Sequence, residues 1–386
     1  MTELAAILSG HGVDVLDIAQ AVIHEQLNLG LLVQLREAED TGIIELIQHA
    51  MESMGAMARV TPISSARYAE WVSLQGRPRY IITLLARRIS ADQLREVTAC
   101  ITARGLEIDT VRRLTGRVPL ESQESSVGSA SVEFAVRGLS LDQAELRAEL
   151  LDIATRLSVD ISIQEDNVYR RNRRLVAFDM DSTLIDAEII DELARMKGVG
   201  GQVAQITELA MRGEMDFAES FERRVALLAG LPRAALAQVA ESVQLTEGAQ
   251  RLVRTLSAYG FKTAILSGGF QYIGERLGER LGIDYVHANQ LEFEHDRITG
   301  RVIGEVVDGQ RKAELLREIA DREGISLEQV IAVGDGANDL PMLSIAGLGI
   351  AFRAKPIVKQ SAQHSISNLG LDGILYLLGF TDADIL

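Results

Sequence analysis

Residues 175–186, LVAFDMDSTLID, run from four apolar residues straight into two aspartates, Asp179 and Asp181, which Ser182 and Thr183 follow. A short apolar run that ends at a polar turn is typical of a strand buried on both faces. Carboxylates so close to each other raise each other's pKa unless a cation or a reaction uses them. The stretch therefore predicts a strand that delivers two acids to a functional crevice.

Two further apolar runs end in the same way. KTAIL (262–266) ends at the turn SGGF, which holds Ser267 and Gly268, and VIAV (330–333) ends at GDGANDLPML (334–343). Helical segments separate the three runs, a pattern that predicts an α/β fold with a doubly wound, mostly parallel, Rossmann-like sheet. All three turns would then meet in one crevice at the carboxyl ends of the strands.

The residues of these turns suit phosphoryl transfer. Asp179 is placed to attack phosphorus as a nucleophile, and Asp181 can protonate the leaving alcohol and later deprotonate water. Ser267 and the backbone N–H groups after it, beginning with Gly268, can bind phosphate oxygens. Lys312 can stabilise the charge of the transition state. The alternatives for DMDST are a side-chain-capped turn or a calcium loop, but Gly and Glu do not follow at the calcium-loop spacing.

The third turn adds oxygen ligands. Asp335 lies at the predicted strand end, and Asn338 and Asp339 follow it. Hard oxygen ligands of this kind suit Mg²⁺, which takes one or two protein carboxylates together with waters and substrate phosphate. Such a cation would offset the repulsion among Asp179, Asp181 and Asp335 and polarise the phosphoryl group.

In this order, DMDST, SGG, Lys312 and GDGANDLPML resemble the motifs of the haloacid dehalogenase (HAD) superfamily of phosphatases over roughly 175–375. The resemblance implies a two-step mechanism with an aspartyl-phosphate intermediate on Asp179. It also implies that Mg²⁺ is held by Asp179, the backbone carbonyl of Asp181 and Asp335, with Asp339 behind these ligands.

Within that superfamily the chain most closely resembles the phosphoserine phosphatase family, through Glu188 and the phrase MRGEMDFAESFERRVALLAGLP (211–232). The resemblance implies that Glu188 accepts the substrate ammonium, that Arg224 pairs with its carboxylate, and that Met211 and Phe217 cover the apolar side. The implied reaction is hydrolysis of O-phospho-L-serine, the last step of serine biosynthesis.

Some questions stay open at this point. Arg223 is adjacent to Arg224, and neighbouring helical residues face different directions, so either guanidinium can be the carboxylate clamp. The residues expected to contact the substrate also include Ser267, Gly268 and Asn338, of which Ser267 and Gly268 would hold its phosphate end.

Another small phosphate ester, such as phosphothreonine, and a homoserine-directed phosphotransfer are alternative reactions. An amino-acid-sensing protein with an inactive catalytic half is a further alternative, whereas a dehalogenase would not need the acid/base Asp181.

The three predicted domains are 1–74, 79–166 and 172–386, and a helical cap over about 188–245 is placed to act as a lid over the crevice of the third. The order β-α-β-β-α-β over 79–166 is the ferredoxin-like arrangement. Residues 1–74 resemble it without the opening strand, and their predicted elements are a helix at 2–10, two strands within 13–37, a helix at 42–56 and an extended segment at 58–65.

Two such modules in tandem resemble ACT domains, which often bind amino acids and pair across a dimer. The resemblance implies serine as an effector and a homodimer; a plain structural appendage is the alternative.

Composition excludes some classes of partner. The chain has 386 residues, with 39 Lys+Arg against 55 Asp+Glu and a net charge of −16, which disfavours nucleic acid and anionic membranes. No apolar run approaches the roughly 20 residues of a membrane span, and the start, MTELAAILSG, lacks a basic n-region, so we expect a cytoplasmic protein. The lone cysteine, Cys100, is expected to be an inert packed thiol.

Overall fold

A computed structural model describes residues 1–35, 41–73, 76–117, 128–138, 142–212 and 214–386, without the side chains of Thr41 and Met211. The chain divides into two compact units, Met1–Gly76 and Arg77–Leu386. Among the described helices, none combines the length and the apolar character needed to cross a membrane.

The first unit is built around an antiparallel hairpin. Its described elements are α1 (Thr2–Gly10), β1 (Asp14–Ile23), β2 (Gln26–Gln34), α2 (Thr41–Ser53) and α3 (Ser65–Ser73). The leading helix and the hairpin agree with a ferredoxin-like module that lacks its opening strand. Every residue of β1 is exposed.

One prediction for this unit is wrong. The described residues 56–64 form no strand, although 58–65 was expected to be extended. Pro62 cannot donate a ladder hydrogen bond, and Ser64 begins a helix instead, since its hydroxyl accepts the N–H of Arg67 at 3.3 Å. Helix α3 was not predicted.

The second unit begins with a four-stranded antiparallel sheet in the order β4-β5-β3-β6, which confirms the ferredoxin-like arrangement. Its elements are β3 (Arg79–Ala86), α4 (Ala91–Ala103), β4 (Glu107–Arg113), β5 (Ala130–Arg137), α5 (Gln143–Leu157) and β6 (Asp160–Glu165). Alternate strand residues such as Ile82 and Leu84 pack with the two helices in one apolar cluster. Cys100 lies in this cluster, where burial raises the pKa of its thiol to about 12, as expected of an inert thiol.

The remainder of the second unit contains a seven-stranded sheet in the order β10-β9-β8-β7-β11-β12-β13. Its strands are β7 (Leu175–Phe178), β8 (Lys262–Phe270), β9 (Tyr285–Glu294), β10 (Arg297–Ile303), β11 (Val330–Gly334), β12 (Leu348–Phe352) and β13 (His364–Ile366). All neighbouring pairs are parallel except β9 with β10. The doubly wound, mostly parallel sheet is therefore confirmed.

Helices cover both faces of this sheet. They are α10 (Ala249–Ala258), α11 (Gln271–Leu281), α12 (Gly309–Glu323), α13 (Leu340–Ile345), α14 (Pro356–Ser361) and α15 (Gly373–Leu377). Along β7, Val176 and Phe178 belong to one apolar cluster while Leu175 and Ala177 belong to another. Burial on both faces explains why LVAF has no polar alternation.

Of the described helices between β7 and β8, four lie where the cap was expected, and α10 follows them: α6 (Ile189–Lys197), α7 (Gly200–Met211), α8 (Phe217–Ala226) and α9 (Arg233–Ser242). The chain leaves the sheet and returns to it through two segments that pair with each other, since Ile185 forms an antiparallel bridge with Leu245. The loop after α8 is also tied to the β9–β10 hairpin, because the Gly230 N–H donates to the Ile298 carbonyl at 2.7 Å.

Candidate active site

The centre of the site is the point where the strand order reverses. β7 and β11 are neighbours in the sheet but distant in sequence, and successive strands are added on opposite sides of them. Asp179 follows β7, and its N–H donates to the carbonyl of Val333 in β11 at 2.9 Å. Asp335 follows β11 directly. The switch point of the fold therefore brings both acids to the crevice in which such sheets bind ligands.

A third acid joins this pair. One carboxylate oxygen from each of Asp179, Asp335 and Asp339 lies within 4.8 Å of the others. Burial raises the pKa of Asp335 to about 7, and the charges of Asp179 and Asp339 add to the shift. Burial likewise raises the pKa of Asp339 to about 6, again with Asp179 contributing. A cation among these oxygens would relieve the repulsion, so the donor set fits a divalent metal with oxygen ligands.

Lys312 contacts two of these three acids, Asp179 and Asp339. Its side chain is fully buried in α12, and its Nζ is 2.9 Å from Asp179 Oδ1 and 2.7 Å from Asp339 Oδ1. Burial by itself would lower the pKa of Lys312, but the two carboxylates raise it above its usual value. The ammonium is therefore charged, and it fixes one oxygen of Asp179 together with the Met180 N–H, which donates to the same Oδ1 at 2.7 Å.

Asp181 differs from Asp179 in its surroundings. Its Oδ1 is buried and has no hydrogen-bond partner among the described residues. Burial raises the pKa of Asp181 well above its usual value, and the charges of Glu188 and Asp179 raise it further. These shifts all favour the protonated form of the carboxyl group. Gly269 gives it room, because a Cβ there would lie 2.8 Å from Asp181 Oδ2.

The cap contributes two side chains of opposite charge to the site, Glu188 and Arg224. Glu188 precedes α6 and accepts the hydroxyl of Ser182 at 2.8 Å. Partial burial raises the pKa of Glu188, although that hydrogen bond opposes the shift. Arg224 is partly buried in α8, where desolvation lowers its pKa and the charge of Glu188 raises it. Its neighbour Arg223 faces away and pairs with Glu219 at 2.5 Å.

The turn Ser267–Gly269, which follows the apolar part of β8, is fixed by hydrogen bonds and by contact with the cap. Ser267 is buried and its Oγ accepts the Gly269 N–H at 2.9 Å. A Cβ on Gly268 would lie 2.9 Å from Cζ of Phe217, so the cap phenyl ring rests directly on this turn. Asn289, in β9, donates to the Gly268 carbonyl at 2.9 Å and accepts the Val307 N–H at 2.8 Å.

Together these groups enclose a cavity of about 130 Å³. Nine residues chosen from the sequence line it: Asp179, Asp181, Glu188, Phe217, Arg224, Ser267, Gly268, Asp335 and Asn338. Lys312 and Asp339 lie buried just behind them. The side chain of Met211 falls outside the described part of the chain, so its placement stays a prediction.

The sequence reasoning missed several residues of the wall. Ile190, Phe221 and Phe270 line the cavity, and the Phe221 ring lies 5.9 Å from Phe270 and 6.2 Å from Phe217 between centroids. Their apolar character does not distinguish them from core residues in a sequence. Asn289 was also missed; the only signal in the sequence is an amide within the strand-like run YVHANQLEF, and its burial becomes visible only in the structure.

Two protein-family models match separate parts of the chain. The model of the haloacid dehalogenase-like hydrolases matches residues 176–344, and a model of the ACT domain matches residues 1–61. The phosphoserine phosphatase of Mycobacterium tuberculosis is 38% identical over 391 residues, which cover 99% of this chain and 90% of that protein.

Two solved structures extend the comparison. A probable phosphoserine phosphatase from Vibrio cholerae, in its unliganded form, is 34% identical with a TM-score of 0.62. The match covers 78% of this chain and 86% of the Vibrio cholerae chain. A phospho-aspartyl intermediate analogue of a phosphoserine phosphatase is 43% identical with a TM-score of 0.51. The match covers 53% of this chain and 98% of the other chain.

Proposed function

Because the chain belongs to the phosphoserine phosphatase family of the haloacid dehalogenase-like hydrolases, we propose that it hydrolyses O-phospho-L-serine to L-serine and inorganic phosphate. The observation that carries the substrate assignment is that the oppositely charged Glu188 and Arg224 line the same cavity as Asp179, Asp181 and Ser267. The cavity can thus receive an amino-acid zwitterion and a phosphate group at the same time.

The first step transfers the phosphoryl group to the enzyme. A carboxylate oxygen of Asp179 attacks phosphorus, the bond from phosphorus to the serine oxygen breaks, and Asp181 donates its proton to that oxygen. The raised pKa of Asp181 supports this role, because the acid must be protonated before the alcohol leaves. Lys312, held beside Asp179, lowers the cost of negative charge during the attack.

The second step releases phosphate. The carboxylate of Asp181 accepts a proton from a water molecule, whose oxygen attacks phosphorus while the bond to Asp179 breaks. The free nucleophile and inorganic phosphate are then regenerated, and Asp181 again carries the proton needed for the next turnover. The donors of the Ser267–Gly269 turn hold the phosphoryl oxygens in both steps.

We propose Mg²⁺ as the cation of the acidic cluster. Asp179, the backbone carbonyl of Asp181 and Asp335 would hold it, and Asp339, which already accepts from Lys312 and from the Gly336 N–H, would lie behind them. When bound, Mg²⁺ polarises the phosphoryl group and neutralises part of its charge. The clustered oxygens and the raised pKa values of Asp335 and Asp339 support this assignment.

Selectivity would come from the cap. Glu188 accepts the substrate ammonium, Arg224 pairs in a forked geometry with the carboxylate, and Phe217 and Met211 cover the apolar side.

A substrate panel tests the proposal: magnesium-dependent phosphate release from phosphoserine, phosphothreonine, phosphoethanolamine and p-nitrophenyl phosphate, with Asp179→Asn as the blank. Preference for another ester in the panel, or transfer of phosphate to homoserine, would replace the proposed substrate.

The N-terminal modules support a second role. The match of an ACT domain model to residues 1–61 supports binding of an amino acid, and we propose L-serine as the effector and a homodimer as the assembly. Titrating L-serine into the Arg224→Ala full-length chain separates the modules from the catalytic site, where that substitution weakens serine binding. Serine binding that survives the substitution supports the effector role, and its complete loss refutes it. Light scattering measures whether the mass is that of two chains.

A further inference from the structure

We propose that Arg87, in the second ferredoxin-like module, is a positioning residue for the substrate site because it holds the segment through which the cap returns to the catalytic sheet. The inference rests on the proposed function and deepens it, since it names a residue outside the lining of the cavity that influences substrate affinity. The contacts that carry it run through Glu247 to the loop that bears Asp181 and Glu188.

The first contact is a forked ion pair between the module and the return segment. Arg87 follows β3 directly, and its Nη1 and Nη2 lie 2.6 and 2.7 Å from the two carboxylate oxygens of Glu247. Arg353, which follows β12, donates to the same carboxylate at 3.0 Å, and Arg87 Nε donates to the Asn368 carbonyl at 3.1 Å. A forked pair with a second cation fixes the direction of a carboxylate far better than a single contact.

Glu247 lies at the end of the cap's return segment. The Thr246 N–H donates to the Leu184 carbonyl at 2.9 Å, and the Asp186 N–H donates to the Gln244 carbonyl at 3.1 Å. These bonds flank the bridge between the outgoing and the returning segments of the cap. A shift of Glu247 would therefore be transmitted to both segments.

The outgoing segment carries the substrate site. Its residue Ile185 bridges Asp181, the Ser182 N–H donates to the Ala187 carbonyl at 3.2 Å, and the Ser182 hydroxyl holds Glu188 at 2.8 Å. Ser182 takes the left-handed conformation, with φ of +55°, which surrounding contacts must maintain. The loop is thus short, strained and attached to the segment that Arg87 holds.

The position of the pair, more than its strength, makes it a positioning contact. The side chains of Arg87 and Glu247 are 37% and 42% exposed, so their pairing adds little to global stability. Other bonds keep the module attached to the catalytic part: the buried carboxylate of Asp160 accepts the N–H groups of Ser367 and Asn368 at 2.8 and 2.9 Å. Loss of Arg87 should therefore loosen the return segment without detaching the module.

Steady-state kinetics of the full chain test the proposal. In Arg87→Ala we expect the KM for phosphoserine to rise about fivefold, whereas kcat/KM for p-nitrophenyl phosphate, which lacks the ammonium and whose leaving group needs little protonation by Asp181, stays within about twofold. Arg87→Lys should recover part of the loss. Arg95→Ala is the matched control, because Arg95 is an exposed arginine of the same module paired with Asp92 at 2.8 Å. An unchanged KM, equal losses on both substrates, or the same change in Arg95→Ala would overturn the proposal.

Hydrogen exchange gives a readout that needs no substrate. Peptides that contain the Asp186 and Thr246 amides should exchange about fivefold faster in Arg87→Ala than in the wild type and in Arg95→Ala. If the wild type does not hydrolyse phosphoserine, the proposed function fails while this comparison still decides the role of Arg87; equal exchange in all three proteins refutes it. If Arg87→Ala does not fold, Glu247→Gln is measured in its place, with the same expected results and the same criteria for refutation.

Discussion

The ammonium of Lys312 lies 2.9 Å from the carboxylate of Asp179, and the lysine side chain is completely buried. A buried cation between two carboxylates, here Asp179 and Asp339, is costly to remove because the remaining charges lose their partner. We therefore expect the pair to serve the fold as well as the proposed reaction, since the residue proposed to stabilise charge during phosphoryl transfer also contacts the proposed nucleophile.

Replacing Lys312 should affect stability and catalysis together. We expect Lys312→Met to reduce kcat by about a thousandfold and to lower the free energy of unfolding by about 3 kcal/mol. Denaturant unfolding and phosphate release measure the two effects. Lys262→Met is the control, because Lys262 pairs with Asp284 at 3.3 Å at the surface and should change neither quantity appreciably. A stable Lys312→Met protein with near-normal kcat would contradict the assignment.

The two adjacent arginines of α8 should behave differently. Arg224→Ala should raise the KM for phosphoserine about a hundredfold, because a forked ion pair to the substrate carboxylate is lost, and should change hydrolysis of p-nitrophenyl phosphate little. Arg223→Ala should leave both substrates within about twofold, since Arg223 pairs with Glu219 instead. Equal loss on both substrates in Arg224→Ala, or a larger effect of Arg223→Ala, would refute the clamp assignment.

A methyl group on Gly268 should interfere with the cap. In Gly268→Ala the new Cβ meets Phe217 Cζ at 2.9 Å and the Val307 carbonyl at 3.4 Å, so the phenyl ring must move away from the proposed phosphate-binding turn. We expect kcat/KM for phosphoserine to fall about tenfold, with partial recovery when Phe217→Leu is added. Gly201→Ala, in helix α7, is the control because a Cβ there has no neighbour within 4 Å. Normal kinetics in Gly268→Ala would show that the contact does not matter.

His364 should make stability depend on pH. It is buried between the second module and the catalytic sheet, where Ser162 Oγ lies 2.8 Å from its Nδ1. Burial, together with the positive charges of Arg147 and Arg173, lowers the pKa of His364 from its usual 6.5 to about 3. The unfolded chain binds the proton more readily, so stability is present above pH 6.5 and is lost as the pH falls.

Between pH 6.5 and about 5 this residue should remove about 2 kcal/mol from the free energy of unfolding. Denaturant unfolding at several pH values should therefore show a flatter profile for His364→Gln than for the wild type. His295→Gln is the control, since the His295 side chain is 90% exposed. Identical profiles for the wild type and His364→Gln would contradict this account.

The catalytic strands and turns could be predicted because their signals are local. An apolar run that ends at DMDST or GDGANDLPML fixes both the strand and the place of its acids, and parallel strands place such ends at one edge of the sheet. The segment at 58–65 was misassigned because an extended pattern becomes a strand only if another strand pairs with it, and Pro62 and Ser64 favour a turn into a helix.

Other features depend on tertiary contacts that leave little trace in the sequence. Asp339 accepts from Lys312, which lies 27 positions away, and Arg87 meets Glu247 across 160 positions. Phe221, Phe270 and Ile190 look like ordinary core residues, and only the placement of the cap over the turn of β8 brings them to the cavity. Such contacts follow from the packing of whole elements, so residue type and spacing could not reveal them.

The measurement that tests the central claim most directly is trapping of the phosphoenzyme. Acid quenching within milliseconds of mixing with ³²P-labelled phosphoserine and Mg²⁺ should give protein-bound label that hydroxylamine releases, as expected of an acyl phosphate. Peptide mapping should place the label on Asp179, and Asp179→Asn should carry none. Turnover of phosphoserine without bound label under these conditions, or label on another residue, would contradict the account.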